Sequence, residues 1–236
     1  MCVPLNARGG NVKVRGEYFF RQPPTLMFIS PDKFGPEDFQ RETGVSDAMV
    51  ERFKAYEKLI LKWNEQAGLI GDSTLPQIWH RHFMDSAQLL PLMPKGIGRV
   101  ADAGSGAGFP GLVLALLGIK GITLFERNTK KAGFLQQAAM DLKLQVEVLN
   151  ITAEEYLGEG FDVLTARALA PLSDLLQLSR RLRKPSTVCL FLKGKNLDAE
   201  IKEAQKDWAM PDLRRIQSLT DPQATVLRLV GAKPAR

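Results

Sequence analysis

The segment VADAGSGAGFPG, Val100–Gly111, limits the possible folds of this chain more than any other. A short apolar run contains an acid, glycines recur at 104, 106, 108 and 111, and an apolar stretch headed by Pro110 follows. Glycine lets the backbone turn with positive φ and lets a ligand approach closely. Proline suits the first turn of a helix, where a missing N–H costs nothing. The pattern reads as strand, glycine turn, helix. At that point of an open α/β sheet a ligand sits beyond the strand's carboxyl end.

The sequence around the segment supports a sheet. After Gly98 strand and helix signals alternate: RVADA, GITLFE, QVEVLN, FDVLTARA and STVCLFLKG read as strands, with helices between them and a Glu/Lys-rich helix over 197–208. Such alternation implies a parallel sheet covered on both faces. RRIQSL and TVLRLV, separated by a turn, predict a closing hairpin that adds an antiparallel edge strand. Upstream, Met49, Phe53, Tyr56, Ile60 and Trp63 recur at helical spacing. GDSTLP then offers a stop, an N-cap and a Pro that opens a second helix. The expected organisation is a poorly ordered extension over 1–45, with Met27 as an alternative start, a helical N-terminal subdomain over 46–97, and a Rossmann-like α/β core over 98–236.

Two glycine frames overlap in the loop. Gly106, Gly108 and Gly111 spell the dinucleotide fingerprint G-x-G-x-x-G. Asp102, Gly104, Gly106 and Gly108 spell the acid-x-G-x-G-x-G of methyl-transfer enzymes. A pyrophosphate wants an unobstructed helix N-terminus, and Phe109 is a poor neighbour for one. S-adenosylmethionine has no phosphate. Asp102 would balance its cationic end and Phe109 would wall its methionine portion, so the second frame fits better. Glu126 ends the second strand about 20 residues on, where an acid accepts from ribose hydroxyls. In TAEE, Ala153 and Glu154 start a turn whose N–H groups and acid suit adenine. Arg167 ends the fourth strand, beside the expected sulfonium.

Composition narrows the setting. The 32 basic residues outnumber the 26 acidic ones, giving +6 and a pI near 9.4, which favours a polyanionic partner. Cys2 and Cys189 are too few for a disulfide framework or a zinc cluster, so no metal is expected. No apolar run is long enough to cross a membrane, and the first residues have no h-region. The chain reads as cytoplasmic, with a monomer as the working expectation. The cluster Arg180, Arg181, Arg183 and Lys184 suits either a helix C-terminus or RNA. Lys130, Lys131, Lys193 and Lys195 are expected near the carboxyl rim of the sheet.

DAGSGAGFPG, FDVLTARALAPL and LFLKGK, with LILKWN and RHFMDS upstream, resemble the RsmG (GidB) methyltransferases. The resemblance runs from about Val50 to Lys195 and more loosely to the C-terminus. It implies a Rossmann-like S-adenosylmethionine-dependent methyltransferase fold. The implied reaction is methylation at N7 of one guanine in 16S ribosomal RNA, on the free RNA or the small subunit. Cofactor contacts are implied at Gly104, Phe109, Ala153, Glu154 and Arg167, with Glu126 as ribose partner. His82, Asp85 and Lys193 would line the site, Lys193 facing RNA. The chain departs from the family where KKINLT gives way to EQAGLIGDS, so Gly68 stands for an Asn and is expected to loosen that turn. Guanine N7 has a free lone pair and no proton to lose, so no general base is assigned. Other readings are methylation of another RNA base or a small molecule, a nicotinamide oxidoreductase, and a non-catalytic RNA-binding module. No Tyr-x-x-x-Lys or similar hydride-transfer pair supports the oxidoreductase.

Overall fold

The structure, a computed structural model, describes residues 30–235. The expected extension over 1–45 lies outside the described residues as far as 29; the rest of it is ordered, and the expectation is corrected there. Helix α1 (Pro36–Thr43) begins at the Gly35 N-cap, where the Gly35 N–H donates to Asp38. It ends at Gly44 in the left-handed region. Its Phe39 is fully buried against Phe53 and Trp79. The short apolar positions of this segment give little periodicity, so tertiary burial decides the helix rather than a repeating pattern.

Helix α2 (Asp47–Ala67) starts at Ser46, whose side chain accepts from the Met49 N–H. It buries Val50, Phe53, Tyr56 and Ile60 along one stripe. Its C-cap is Gly68, at φ 53 in the left-handed region, with its N–H on the Asn64 carbonyl. Asn64 also accepts from the Ile70 N–H, fixing the chain as it leaves the helix. Gly and Asn both tolerate this conformation, so Gly68 keeps an ordinary helix cap. The second helix is irregular: a 3₁₀ stretch (Asp72–Gln77), a π turn (Trp79–Met84), then α3 (Asp85–Ala87). Pi turns shift the register of side chains and recur at functional sites.

The sheet has seven strands in the order β3-β2-β1-β4-β5-β8-β7. These are β1 (Val100–Ala103), β2 (Ile122–Phe125), β3 (Val146–Leu149), β4 (Phe161–Arg167), β5 (Arg183–Lys193), β7 (Asp212–Gln217) and β8 (Thr225–Val230). A separate two-residue β6 (Trp208–Ala209) pairs with β9 (Lys233–Pro234). The first five strands are parallel, and β8 joins β5 antiparallel, as the sequence pattern predicts. β1 and β2 are buried throughout, as strands covered on both faces must be. Side chains alternate between the layers: Val188, Leu190 and Leu192 join the layer of α2, α4 (Gly111–Leu116) and α5 (Thr129–Asp141). Cys189 and Phe191 join that of α6 (Leu172–Leu178) and α7 (Leu197–Asp207). Cys189 is buried, its thiol pushed up to about 12 by desolvation, so it is inert core.

The chain order reverses between β1 and β4, the switch point of the sheet. One hydrophobic core runs from Phe34 through α2 to Leu192, so the helical segment forms a wall of the core rather than a detached unit. Tyr56 makes the closest link: its hydroxyl donates to the buried Ala107 carbonyl in the glycine loop at 2.5 Å. No described helix is long and apolar enough to cross a membrane. Tyr56→Phe leaves that carbonyl buried without a partner, so urea unfolding should show a loss of about 1–3 kcal/mol.

Candidate functional site

The glycine loop closes the switch point with three left-handed glycines, Gly104 (φ 69), Gly106 (φ 57) and Gly108 (φ 90). The N–H groups of Gly104 and Ser105 donate to the Phe125 carbonyl, fastening the loop to β2. The Phe109–Pro110 peptide is cis. Above the loop lies a cavity of about 420 Å³. Gly104, Gly106, Phe109, Glu126, Ala153, Glu154 and Arg167 all line it, so seven expected cofactor residues from four separate segments converge.

Asp102 and Gly108 are not among the lining residues, and here the sequence expectation is corrected. Asp102 is fully buried beneath the loop. It accepts from the Thr165 hydroxyl at 2.8 Å and from the Gly111 N–H at 3.1 Å. Burial raises its pKa to about 6 against those hydrogen bonds. Its role is to join β1, β4 and the start of α4. Gly108 faces the opposite way: a Cβ there would sit 2.4 Å from the Tyr56 hydroxyl. Gly111, last in the dinucleotide frame, likewise serves packing, since a Cβ would meet Leu124 at 2.3 Å.

Glu126 is buried at the end of β2, one oxygen accepting from Gly106 N–H and the other from Asn128 N–H, both at 2.8 Å. Each carboxylate oxygen keeps a further lone pair, and the residue lines the cavity, so it can accept from hydroxyl donors there. Asn150 holds the adjacent chain by donating to the carbonyls of Glu126 and Arg127. Ala153 and Glu154 stand on a 3₁₀ turn (Ala153–Glu155) closed by the Thr152–Glu155 capping box. Leu69 and Ile70 also line the cavity, and sequence reasoning missed them. They follow the Gly68 cap, and only the docking of α2 brings them to the loop.

Arg167 has a full set of partners. Its guanidinium donates to the Arg81 carbonyl at 2.8 Å and to His82 Nδ1 at 2.5 Å, and lies 3.5 Å from Asp85. It also sits over the Phe109 ring, 4.9 Å from the centroid. Arginine keeps all its protons, so His82 Nδ1 accepts. The proton is then on Nε2, 3.1 Å from the Thr74 hydroxyl. Burial, then the Arg167 and Arg81 cations, lower the His82 pKa to about 3. His82 is a neutral ring stacked on Phe109, unsuited to proton transfer.

A second cavity, of about 550 Å³, shares Arg167, Ala168 and Leu169 with the first. His82, Asp85 and Lys193 line it, as the resemblance implies. Lys193 departs from the expectation in one respect. On the wall of that cavity its ammonium is already paired, with Ala170 O at 2.9 Å and Glu200 at 2.5 Å, so it is not a free cation offered to a partner. The Arg180–Lys184 cluster lies between α6 and β5, at the amino end of β5. Arg183 donates to the carbonyls of Leu176 and Ala232, and Lys184 pairs with Asp162. The helix C-terminus reading holds for Arg183, which reaches the last turn of α6, whereas Lys184 is taken up by a β4 carboxylate.

These groups give a defined pH response. Between about pH 6.5 and 3 the unfolded chain protonates His82 and the folded chain does not, so this group makes stability rise with pH. Asp102 acts oppositely between about 3.8 and 6, where the folded chain binds the extra proton. Urea midpoints followed through this range should rise less with pH in His82→Gln and more steeply in Asp102→Asn.

The family model described as rRNA small subunit methyltransferase G matches residues 49–225. Proteins named ribosomal RNA small subunit methyltransferase G from Paramagnetospirillum magneticum and Rhodospirillum centenum are 42% and 43% identical to the chain. These alignments cover 83% and 85% of this chain and 95% and 93% of those proteins. Among solved structures, a ribosomal protein L11 methylase from Lactobacillus delbrueckii subsp. bulgaricus superposes with a TM-score of 0.52 at 18% identity, covering 70% of this chain and 82% of that one. A glycopeptide N-methyltransferase, MtfA, complexed with S-adenosylmethionine gives 0.53 at 10% identity, covering 63% and 93%. These likenesses establish the methyltransferase fold, and the extent of the sequence matches establishes more: the chain belongs to the rRNA small subunit methyltransferase G family.

Proposed function

We propose that this protein transfers a methyl group from S-adenosylmethionine to N7 of a guanine in small-subunit (16S) ribosomal RNA, acting in the cytoplasm. The observation that carries the reading is the pair of cavities joined at Arg167, Ala168 and Leu169 on the sheet's switch point. One suits a donor and the other an acceptor, with a shared wall where the methyl group would cross. The residues fit the cofactor. Glu126 can accept from two ribose hydroxyls, Phe109 gives an apolar wall, and Ala153 and Glu154 offer the polar edge that adenine needs. A pyrophosphate fits less well, because the Gly111 and Leu112 N–H groups that open α4 already donate to Asp102 and the Gly108 carbonyl. The N7 target follows from the family resemblance.

When bound, S-adenosylmethionine supplies an electrophilic methyl group on a sulfonium. The chain's task is alignment of donor and acceptor, which can account for a large part of a barrier reduction. Guanine N7 needs no proton removed, and the one imidazole at the site has its Nδ1 lone pair taken up by Arg167, which agrees with chemistry that has no general base. Arg167 is held by Arg81, His82, Asp85 and Phe109, so the shared wall is rigid. Asp85 places a carboxylate on the wall of the second cavity, where it would offset the charge gained by the methylated guanine. Exposed Arg81 lines the second cavity and Lys131 the first; cations there suit RNA phosphates, which makes binding salt-dependent.

The deciding experiment supplies methyl-labelled S-adenosylmethionine and small subunits that lack the modification, then separates the digested nucleosides. Label in 7-methylguanosine is expected. Label in another nucleoside would keep the fold and overturn the target, and binding of NADH in place of S-adenosylhomocysteine would overturn the cofactor. Calorimetry should find S-adenosylhomocysteine binding weakened roughly tenfold to a hundredfold in Glu126→Gln, whereas Asp85→Asn should retain binding and lose turnover.

A further inference from the structure

The turn between β4 and α6 forms the partition between the two cavities. Ala168 and Leu169 line both of them. Leu169 leans on the glycine loop: a Cβ at Gly104 would lie 2.5 Å from its Cδ1. Ala168 has φ 50, the left-handed region that a residue with a Cβ enters at a cost. Such a conformation persists only where surrounding contacts over-determine it. On the side of the turn that follows Ala168, the backbone is held by Lys193 and Glu200. Lys193 Nζ donates to the Ala170 carbonyl at 2.9 Å. Glu200 Oε2 accepts from the Leu172 N–H at 2.9 Å, and the two side chains pair at 2.5 Å. One ion pair thereby holds the carbonyl of one residue and the N–H of another on either side of Pro171. Lys193 is 9% exposed, so its charge is satisfied within the protein.

We propose that Lys193 and Glu200 are positioning residues: their ion pair clamps the Ala168–Pro171 turn and so sets the partition across which donor and acceptor align. Lys193 comes from the carboxyl end of β5 and Glu200 from the first turns of α7. The clamp therefore ties the partition to two rigid elements instead of leaving it to the turn itself. A partition displaced by an ångström would misalign an in-line transfer without emptying either cavity. The signature is a fall in kcat with little change in binding.

This inference rests on the proposed methyl transfer, and the two fail differently: wild-type protein that labels no nucleoside would refute the transfer, whereas an active wild type beside a Lys193→Met variant of undiminished kcat would refute the clamp. The test compares wild type, Lys193→Met, Lys193→Arg, Glu200→Gln and the Lys193→Met/Glu200→Gln double variant on unmodified small subunits. Binding of S-adenosylhomocysteine and KM for the subunit should stay within about twofold in every variant. The kcat of Lys193→Met should fall about tenfold or more, the double variant should be no slower than Lys193→Met, and Lys193→Arg should recover most of the loss. Should Lys193→Met fail to fold, Glu200→Gln and Lys193→Arg carry the same comparison. A raised KM in Lys193→Met, with unchanged kcat, a shallower salt dependence and normal Glu200→Gln, would make Lys193 an RNA contact and overturn the clamp.

Discussion

The buried carboxylate of Asp102 is the interaction on which the rest of the site depends. It stands in the middle of β1 and is reached by Thr165 from β4 and by Gly111 at the head of α4. Strand, neighbouring strand and helix are joined through one group at the point where the sheet reverses. A charge without solvent is costly unless it is hydrogen-bonded, and this one has two such bonds. The glycine loop is stretched between Asp102 below and Glu126 above, whose carboxylate accepts from Gly106. Two acids thus shape one loop, one from the core and one from the cavity.

The cavity side is organised around a cation. Arg167 is gripped by a carbonyl, an imidazole, a carboxylate and an aromatic face. Three of those partners, Arg81, His82 and Asp85, lie on the irregular segment before β1. The π turn there (Trp79–Met84) lets the Arg81 carbonyl, the His82 ring and the Asp85 carboxylate converge on one guanidinium. Docking the segment also keeps His82 neutral, because burial first and the Arg167 and Arg81 cations second oppose a proton on its ring. The electrostatics of the site and the docking of the helical segment are one arrangement.

Much of this was legible in the residues. The alternation after Gly98 and the hairpin at the end gave the sheet, because buried parallel strands leave apolar runs and helices leave caps such as Ser46 and Asn128. Glu126, Ala153, Glu154 and Arg167 could be assigned because each stands at the end of a strand, where a doubly wound sheet gathers its ligand contacts. The misreadings share a cause. Asp102 and Gly108 belong to the same motif as Gly104 and Gly106, yet they face the core. A motif gives spacing along the chain and not the direction of each side chain. Helix α1 was missed because eight residues carry too little periodicity to announce themselves.

The sequence by itself determined the order of strands and helices, the glycine turn and the acid that follows it, since these depend on local preference and on burial patterns of period two and 3.6. The tertiary structure decided which side chains meet. Leu69 and Ile70 reach the first cavity because α2 docks on the loop, and His82 accepts from Arg167 although 85 positions separate them. Lys193, which looks from sequence like a cation offered to RNA, is paired with Glu200 on another element. Such pairings are fixed by packing in three dimensions, where the free energy depends on what surrounds a charge and not on its position along the chain.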